Sequence, residues 1–420
     1  MDILFGIFGL AVLVGIAVVF SNNRNAISWK LVGIGIGLQL FFAIMVILTP
    51  WGSMVFDALS KIFVTVINFT YDGTKFVLGP EMGDPGKGFI FAFHALPTII
   101  FFSSLMSILY HLGAMQKVVQ AMAWVMAKAM NISGSESLSV ASNVFIGQTE
   151  APLVVRPYIE KMTHSELLTL MVGGMATIAG GVLAAYVGIL GGGDEAKSIF
   201  YAKHLLSASI MAAPATIVIA KILIPETEES LTKGTVKMDV EKTASNVIEA
   251  AANGAADGLK LALNVGAMLL AFIALIYLID APLKWLGETT GLNNSLPQPL
   301  SLSLIMGYIL RPLAWIIGIP WNDALTVGGL IGEKVVLNEF VAYLHLGELQ
   351  ATISEKARLI STYALCGFAN FASIAIQIGG ISPIAPSRRS DLARYGLRAV
   401  LGGSLATMMT ATIAGVLSSL

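Results

Sequence analysis

Two acids stand in apolar stretches of this chain in matching surroundings. Thr149-Glu150 and Asn338-Glu339 are each followed, sixteen residues after the Glu, by the last letter of a Thr-x-Ser-Glu box. Residues 149 to 166 (TEAPLVVRPYIEKMTHSE) therefore overlie residues 338 to 355 (NEFVAYLHLGELQATISE) at one constant offset. A carboxylate within hydrocarbon costs roughly 3 kcal/mol on insertion scales, so two in register mark an internal repeat around a buried acid and point to a binding site. The alternative is a pair of surface turns with ordinary acids. Carboxylates can accept hydrogen bonds from sugar hydroxyls or a ring N–H, amides can pair with a base edge, and aromatic faces can cover its plane. No Arg or Lys occupies either tip, which argues against phosphate or dicarboxylate substrates.

Enzyme chemistry has little to build on. His94, His111, His164, His204 and His345 lack the i, i+4 spacing of a metal pair, and the run Ser133 to Ser139 has no nearby His and Asp constellation. That serine run is better suited to capping the helix that enters the first acid-bearing segment. The single Cys366 excludes an internal disulfide and a thiolate metal cluster.

The elements that hold these acids belong to a membrane. The chain is 56% hydrophobic and 12% charged, where a soluble domain carries about a quarter charged residues. Its net charge of −1 offers no support for nucleic acid binding. Apolar runs able to span hydrocarbon fall at 3–20, 31–49, 88–110, 168–190, 199–224, 259–280, 357–381 and 399–419. The first is preceded by Asp2 and followed by no A-x-A site, so it reads as a retained span. Segments 54–69, 115–130, 242–257 and 299–319 read as interfacial or tilted helices, and the stretches around Glu150 and Glu339 as re-entrant hairpins. Arg24 and Lys30, then Lys233, Lys237 and Lys242, then Arg388, Arg389, Arg394 and Arg398 mark cytoplasmic loops. Both termini then lie outside, and the two hairpins enter from opposite faces. Inverted repeats with broken helices are the architecture of secondary transporters.

Each Thr-x-Ser-Glu box, Thr163 with Glu166 and Thr352 with Glu355, has the spacing to start the helix after its hairpin. Those helices should break where Gly173-Gly174 precedes Thr177 and where Cys366-Gly367 precedes Asn370, with a hairpin tip, ligand or ion facing each break. Gly180-Gly181 is better explained by close helix packing. Lys334 is expected to neutralise Glu333 or reach the hairpin rim, the PETEES segment at 225–230 to be a solvated cytoplasmic loop, and Pro80 to Lys87 an external turn.

NVFIGQTEAPLVVRP (143–157), IPWNDA (319–324), NEFVAY (338–343) and CGFANFASIAI (366–376) resemble the concentrative nucleoside transporter family, over essentially the whole chain. The resemblance implies an all-α polytopic membrane protein of the bacterial inner membrane, with eight transmembrane helices, two opposed re-entrant hairpins, an inverted repeat and interfacial helices. It implies a homotrimer that moves nucleosides by an elevator mechanism, with no cofactor and no catalysis. The corresponding parts are scaffold helices and an interfacial helix at 1–87, a third span and amphipathic helix at 88–130, and a first transport repeat at 131–224. A cytoplasmic loop and long scaffold span follow at 225–298, and a second transport repeat at 299–420. By matching motif, base contacts fall on Gln148, Thr149, Glu150 and Val182, with Phe368 against the base, and sugar contacts on Glu339, Asn370 and Ser373. The coupling ion, sodium, matches Asn143, Ile146, Thr177 and Ile178. Thr177 stands where Ser is usual and Ala372 where Ser is frequent. Proton-driven relatives carry GQSE followed by bulky residues, so QTEAPL favours sodium, with proton coupling through Glu150 or Glu339 as the alternative. A channel or an intramembrane enzyme would be the reading from another class.

Overall fold

An apolar chain in lipid must satisfy its backbone polar groups internally, and this one does so with helices. The computed structural model describes residues 2–234 and 244–419, and among these the β-structure is confined to one isolated bridge between Ser133 and Lys233. Lys237 and Lys242 lie outside the described residues.

Helices α1 (Asp2–Val19), α2 (Trp29–Ile47), α3 (Pro50–Leu78), the short α4 (Pro80–Gly83), α5 (Phe91–His111) and α6 (Ala114–Met130) come first. Then follow α7 (Gly134–Asn143), the short α8 (Ala151–Val154) and α9 (Arg156–Ile159), α10 (His164–Ala176), α11 (Gly180–Gly191) and α12 (Glu195–Leu223). A long helix, α13 (Val247–Thr289), and α14 (Leu302–Ile316) lead to a second set in the same succession. That set is α15 (Trp321–Val336), α16 (Glu339–Leu349), α17 (Glu355–Ala364), α18 (Phe371–Ile381) and α19 (Arg389–Leu417).

Among the described residues, eight segments are long and apolar enough to cross a membrane. Seven overlap expected spans. The eighth is α3, a continuous 29-residue helix that contains the segment 54–69 expected to be an interfacial or tilted helix; its charged residues, Asp57, Lys61, Asp72 and Lys75, interrupt the apolar run without interrupting the helix. The expected span 357–381 is broken, as its Cys366-Gly367 motif predicts, into two short helices, α17 and α18, separated by an extended stretch. Segment 242–257 contributes its described part to the start of α13, whose 43 residues extend roughly 65 Å at 1.5 Å per residue.

Burial locates the core. In α10–α11, α12 and the last helix, 83 to 89% of the apolar stretch is buried, against 17 to 28% in α1, α2, α3, α5 and α13. The latter expose Leu263, Leu270, Tyr277 and Leu278 of α13, among others.

Loop contacts sort the molecule into two ends. At one end Asn22 N donates to Leu223 O (3.1 Å), Ser135 N to Thr232 Oγ1 (3.1 Å) and Arg388 Nη1 to Met162 O (2.7 Å). At the other, Lys356 pairs with Asp2 (3.2 Å) and Ser354 Oγ donates to Asp323 (2.6 Å). The α7–α9 hairpin has its base at the first end and the α15–α16 hairpin at the second.

Two of the three helix starts expected to be capped from the sequence form as expected, and one does not. Ser133 with Glu136 caps α7 and Thr163 with Glu166 caps α10, each as a reciprocal capping box. The matching box at 352–355 does not act that way. Ser354 caps α17 by accepting from Ala357 N, while the Thr352 hydroxyl donates back to Leu349 O. Asp323 anchors Ser354 through both its backbone N and its hydroxyl, so α17 starts two residues later than the sequence offset requires. The PETEES segment is likewise only partly solvated. Thr227 to Glu229 are exposed, but Glu226 turns inward to accept from Thr163 Oγ1 (2.9 Å) and Lys221 Nζ (3.0 Å). Pro80 to Lys87, expected as a turn, holds α4 and a 3-10 turn.

Candidate functional site

The first helix break lies at Thr177-Ile178-Ala179, between α10 and α11, where Thr177 and Ala179 are extended. The break leaves the last carbonyls of α10 without helical partners, and the Thr177 hydroxyl answers one by donating to Gly173 O (2.8 Å). Gly180 N donates to Phe145 O (3.1 Å), tying the first hairpin tip to the break. Asn143, the last residue of α7, is fully buried here. Its amide donates to Ser139 O (3.0 Å), and its Oδ1 has no partner.

Gly173 and Gly174 lie inside α10 and do not form the break. They provide room: a Cβ on Gly173 would sit 3.2 Å from Asn143 Nδ2, and one on Gly174 would meet Gln377 Nε2 at 2.7 Å and Gln148 Cβ at 2.8 Å. A Cβ on Gly181 would meet Ile99 O of α5 at 3.5 Å, an ordinary van der Waals contact, so the expectation that this glycine is there for close helix packing finds no steric requirement here.

The second break, Leu365 to Asn370, crosses directly over the first. A Cβ on Gly367 would lie 2.7 Å from Met175 O, so only glycine permits the crossing at this separation. Asn370 caps α18 by accepting from Ser373 N (2.8 Å), which leaves its amide free to donate to Glu339 Oε2 (2.9 Å). Tyr186 OH donates to Glu339 Oε1 (2.9 Å). The Tyr186 ring is fixed in turn against Tyr343 (centroids 4.3 Å apart) and Phe340 (4.8 Å). Glu339 is 3% exposed at the first position of α16, where the amide dipoles of the helix start favour a negative charge. Its N-cap, Asn338, accepts from Val341 N and keeps a buried Nδ2 without a partner.

Gln148 connects the first tip to α18. Its Nε2 donates to Ser373 Oγ (3.1 Å), and its Oε1 accepts from Gln377 Nε2 (3.2 Å), which also donates to Met171 O (2.9 Å). Gln148, Thr149, Glu150, Val182, Glu339, Phe368, Asn370 and Ser373 all line one cavity of about 1260 Å³, together with Ile146. Phe102 of α5 and Asn264 of α13 close it on the far side, and Arg156, Glu160 and Lys161 stand on its wall. Asn143, Thr177 and Ile178 do not reach the cavity; they sit buried behind the tip.

The two acids differ in their surroundings. Glu339 is buried, whereas Glu150 is exposed, with its carboxylate folded over Gly147, where a Cβ would meet Oε2 at 2.2 Å. The expectation of two buried acids therefore holds for one. Lys334 also departs from expectation. Its Nζ donates to Ala364 O (2.8 Å) and Thr407 Oγ1 (3.1 Å), while Glu333 pairs with His345 (2.8 Å). Neighbours on a helix point about 100° apart, so Glu333 and Lys334 face different partners.

Tyr186 and Gln377 hold the site residues in place and were not singled out from the sequence. Their signal is a hydrogen-bonding side chain in the middle of an apolar helix, which buries it only with a partner.

Models of the Na+ dependent nucleoside transporter C-terminus and N-terminus match residues 204–415 and 8–81, and a nucleoside recognition gate model matches residues 92–193. The chain is 47% identical over 424 residues to an uncharacterized transporter of Haemophilus influenzae, covering 99% of this chain and 98% of that one. It is 40% identical over 427 residues to sodium/nucleoside cotransporter 1 of Mus musculus, covering 97% of this chain and 63% of the mouse protein. Among solved structures, CNTnw in an inward-facing substrate-bound state is 41% identical and superposes with a TM-score of 0.90, covering 100% of this chain and 98% of that one.

Proposed function

The chain belongs to the sodium-dependent nucleoside transporter family, a family of membrane transporters and not of enzymes, and on that premise we propose that it imports nucleosides by sodium-coupled symport. The observation that carries this reading is the Glu339 carboxylate, buried at the cavity wall and held by Tyr186 and Asn370. With two donors already fixed, its remaining lone pairs are aimed acceptors for ribose hydroxyls. Asn370 and Ser373 complete the sugar side. Gln148, Thr149 and Glu150 pair with the base edge, Phe368 covers the base plane and Val182 bounds it.

Sodium binds between the first tip and the first break, with Asn143, Ile146, Thr177 and Ile178 as its ligands. The unpartnered, buried Oδ1 of Asn143 supports this placement, as does the carbonyl-rich end of α10, whose dipole favours a cation. The Gly180 to Phe145 hydrogen bond makes tip and break one junction. An ion there stiffens the tip that presents Gln148, which couples ion to substrate. In a second reading a proton replaces sodium, carried by Glu150 or by Glu339, the buried acid of the two.

The opposed hairpin bases and the repeated helix succession support two inverted re-entrant units, 131–224 and 299–420, that move together as a transport domain. They move against scaffold segments 1–87, 88–130 and 225–298 in an elevator cycle. The apolar faces of α3 and α13 are available to lipid and to the neighbours of a homotrimer in a bacterial inner membrane. Uptake of labelled uridine into proteoliposomes, with and without an inward sodium gradient, tests the proposal. Uptake should depend on the gradient; gradient-independent accumulation driven by pH would transfer coupling to protons.

A further inference from the structure

Lys334 is a buried cation that forms no direct ion pair among the described residues. It lies on α15, two residues from the end of that helix, and is 1% exposed. Its ammonium donates to the hydroxyl of Thr407 on α19 and to the carbonyl of Ala364, the last residue of α17 before the second break. A lone ammonium is costly to bury, so it must answer a standing need for positive charge at that position.

The first half of the molecule has the corresponding need. There the end of α7 meets the carbonyl end of α10 at a break, with the unpartnered Asn143 Oδ1 beside it. In the second half the end of α15 meets the carbonyl end of α17 at a break, and the ammonium of Lys334 is already in place. We infer that Lys334 is a built-in cation that takes, at the second break, the position the exchangeable coupling ion takes at the first. It supplies charge to the carbonyl end of α17 and holds α15 against the break, so that half of the molecule needs no ion. The analogy rests on the proposed sodium site at Asn143, but the ammonium contacts do not.

The test is the sodium dependence of uridine binding to purified, reconstituted protein, with choline as replacement, in wild type, Lys334→Ala and Lys334→Met. Lys334→Ala removes the ammonium and leaves space for a cation with its water. Uridine affinity at low sodium should fall about tenfold from the unsatisfied carbonyl and recover at high sodium, with one more sodium in the binding dependence than wild type. Lys334→Met fills the space without charge, and its loss should not recover with sodium. If both variants keep the wild-type sodium dependence and affinity, or respond to sodium alike, the inference is overturned. The wild-type slope reports on the Asn143 site alone, and the difference between Lys334→Ala and wild type reports on Lys334 alone. A sodium-independent wild type would thus remove the first reading, while Lys334→Ala would still gain or fail to gain a sodium requirement. Should both variants fail to fold, the charge moved per nucleoside by the wild type decides. One charge agrees with a resident ammonium, and two overturn it.

Discussion

Replacing Glu339 by Gln isolates the charge of the acid proposed to bind the sugar while keeping its shape. The substitution has one permitted orientation. Asn370 Oδ1 is committed to Ser373 N, so its amide must go on donating toward position 339, and the new Gln oxygen has to face it. The Gln amide then faces Tyr186, whose hydroxyl can turn from donor to acceptor. Both internal hydrogen bonds survive, and what is lost is the charge on the acceptor offered to ribose. A hydrogen bond to a charged group is worth about 1.5–3 kcal/mol, so uridine affinity should fall roughly 10- to 150-fold. Glu339→Ala should do worse, because it leaves the Tyr186 hydroxyl and the Asn370 amide buried and unpaired, at roughly 1–3 kcal/mol each. Equilibrium binding of uridine, 2′-deoxyuridine and 3′-deoxyuridine to wild type and Glu339→Gln is the assay. The deoxy ligand lacking the contacted hydroxyl should lose much less than uridine. Equal losses for all three would refute the reasoning and assign Glu339 to folding or gating.

Three further outcomes are expected. Asn143→Ala should flatten the sodium dependence of uridine binding, while Thr177→Ser, which keeps the oxygen, should be mild; since coupling is reciprocal, nucleoside should lose the same factor in its effect on sodium affinity, measured by titrating each at fixed levels of the other. Tyr186→Phe removes one neutral donor from Glu339 and should weaken uridine binding by roughly 0.5–1.5 kcal/mol, read in the same binding assay, with little effect on sodium affinity in the absence of nucleoside. Lys221, 5% exposed and paired with Glu136 and Glu226, ties the starts of α7 and α10 to the loop after α12. Lys221→Met leaves those acids uncompensated and should cost roughly 3–5 kcal/mol of stability, seen as a lower melting temperature in detergent, which Lys221→Met with Glu136→Gln should partly restore.

Much of this molecule was legible in residue order because its determinants are local. A membrane helix needs only a long enough apolar run, and seven of the eight membrane-length segments overlap runs read from the sequence. The capping box at Thr163 works through backbone groups three residues away. The second break contains its predicting motif, Cys366-Gly367, and the first lies three residues beyond Gly173-Gly174. The eight residues assigned to the substrate line one cavity, and seven of them sit in the quoted strings; Val182 lies outside them.

What the sequence left open was decided by partners far away along the chain. Whether Thr352 or Ser354 starts α17 depends on Asp323, thirty-one residues from Ser354. Which acid is buried depends on Tyr186, which reaches Glu339 across 153 residues, while among the described residues no such partner covers Glu150. Lys334 and Glu333 look like a pair in sequence, yet helical twist sends one to Ala364 and Thr407 and the other to His345. A side chain's type and neighbours set what it can bond; only the packing of helices against one another determines which of those bonds it makes, because an ionic or polar group in an apolar interior takes the partner that tertiary structure brings within reach.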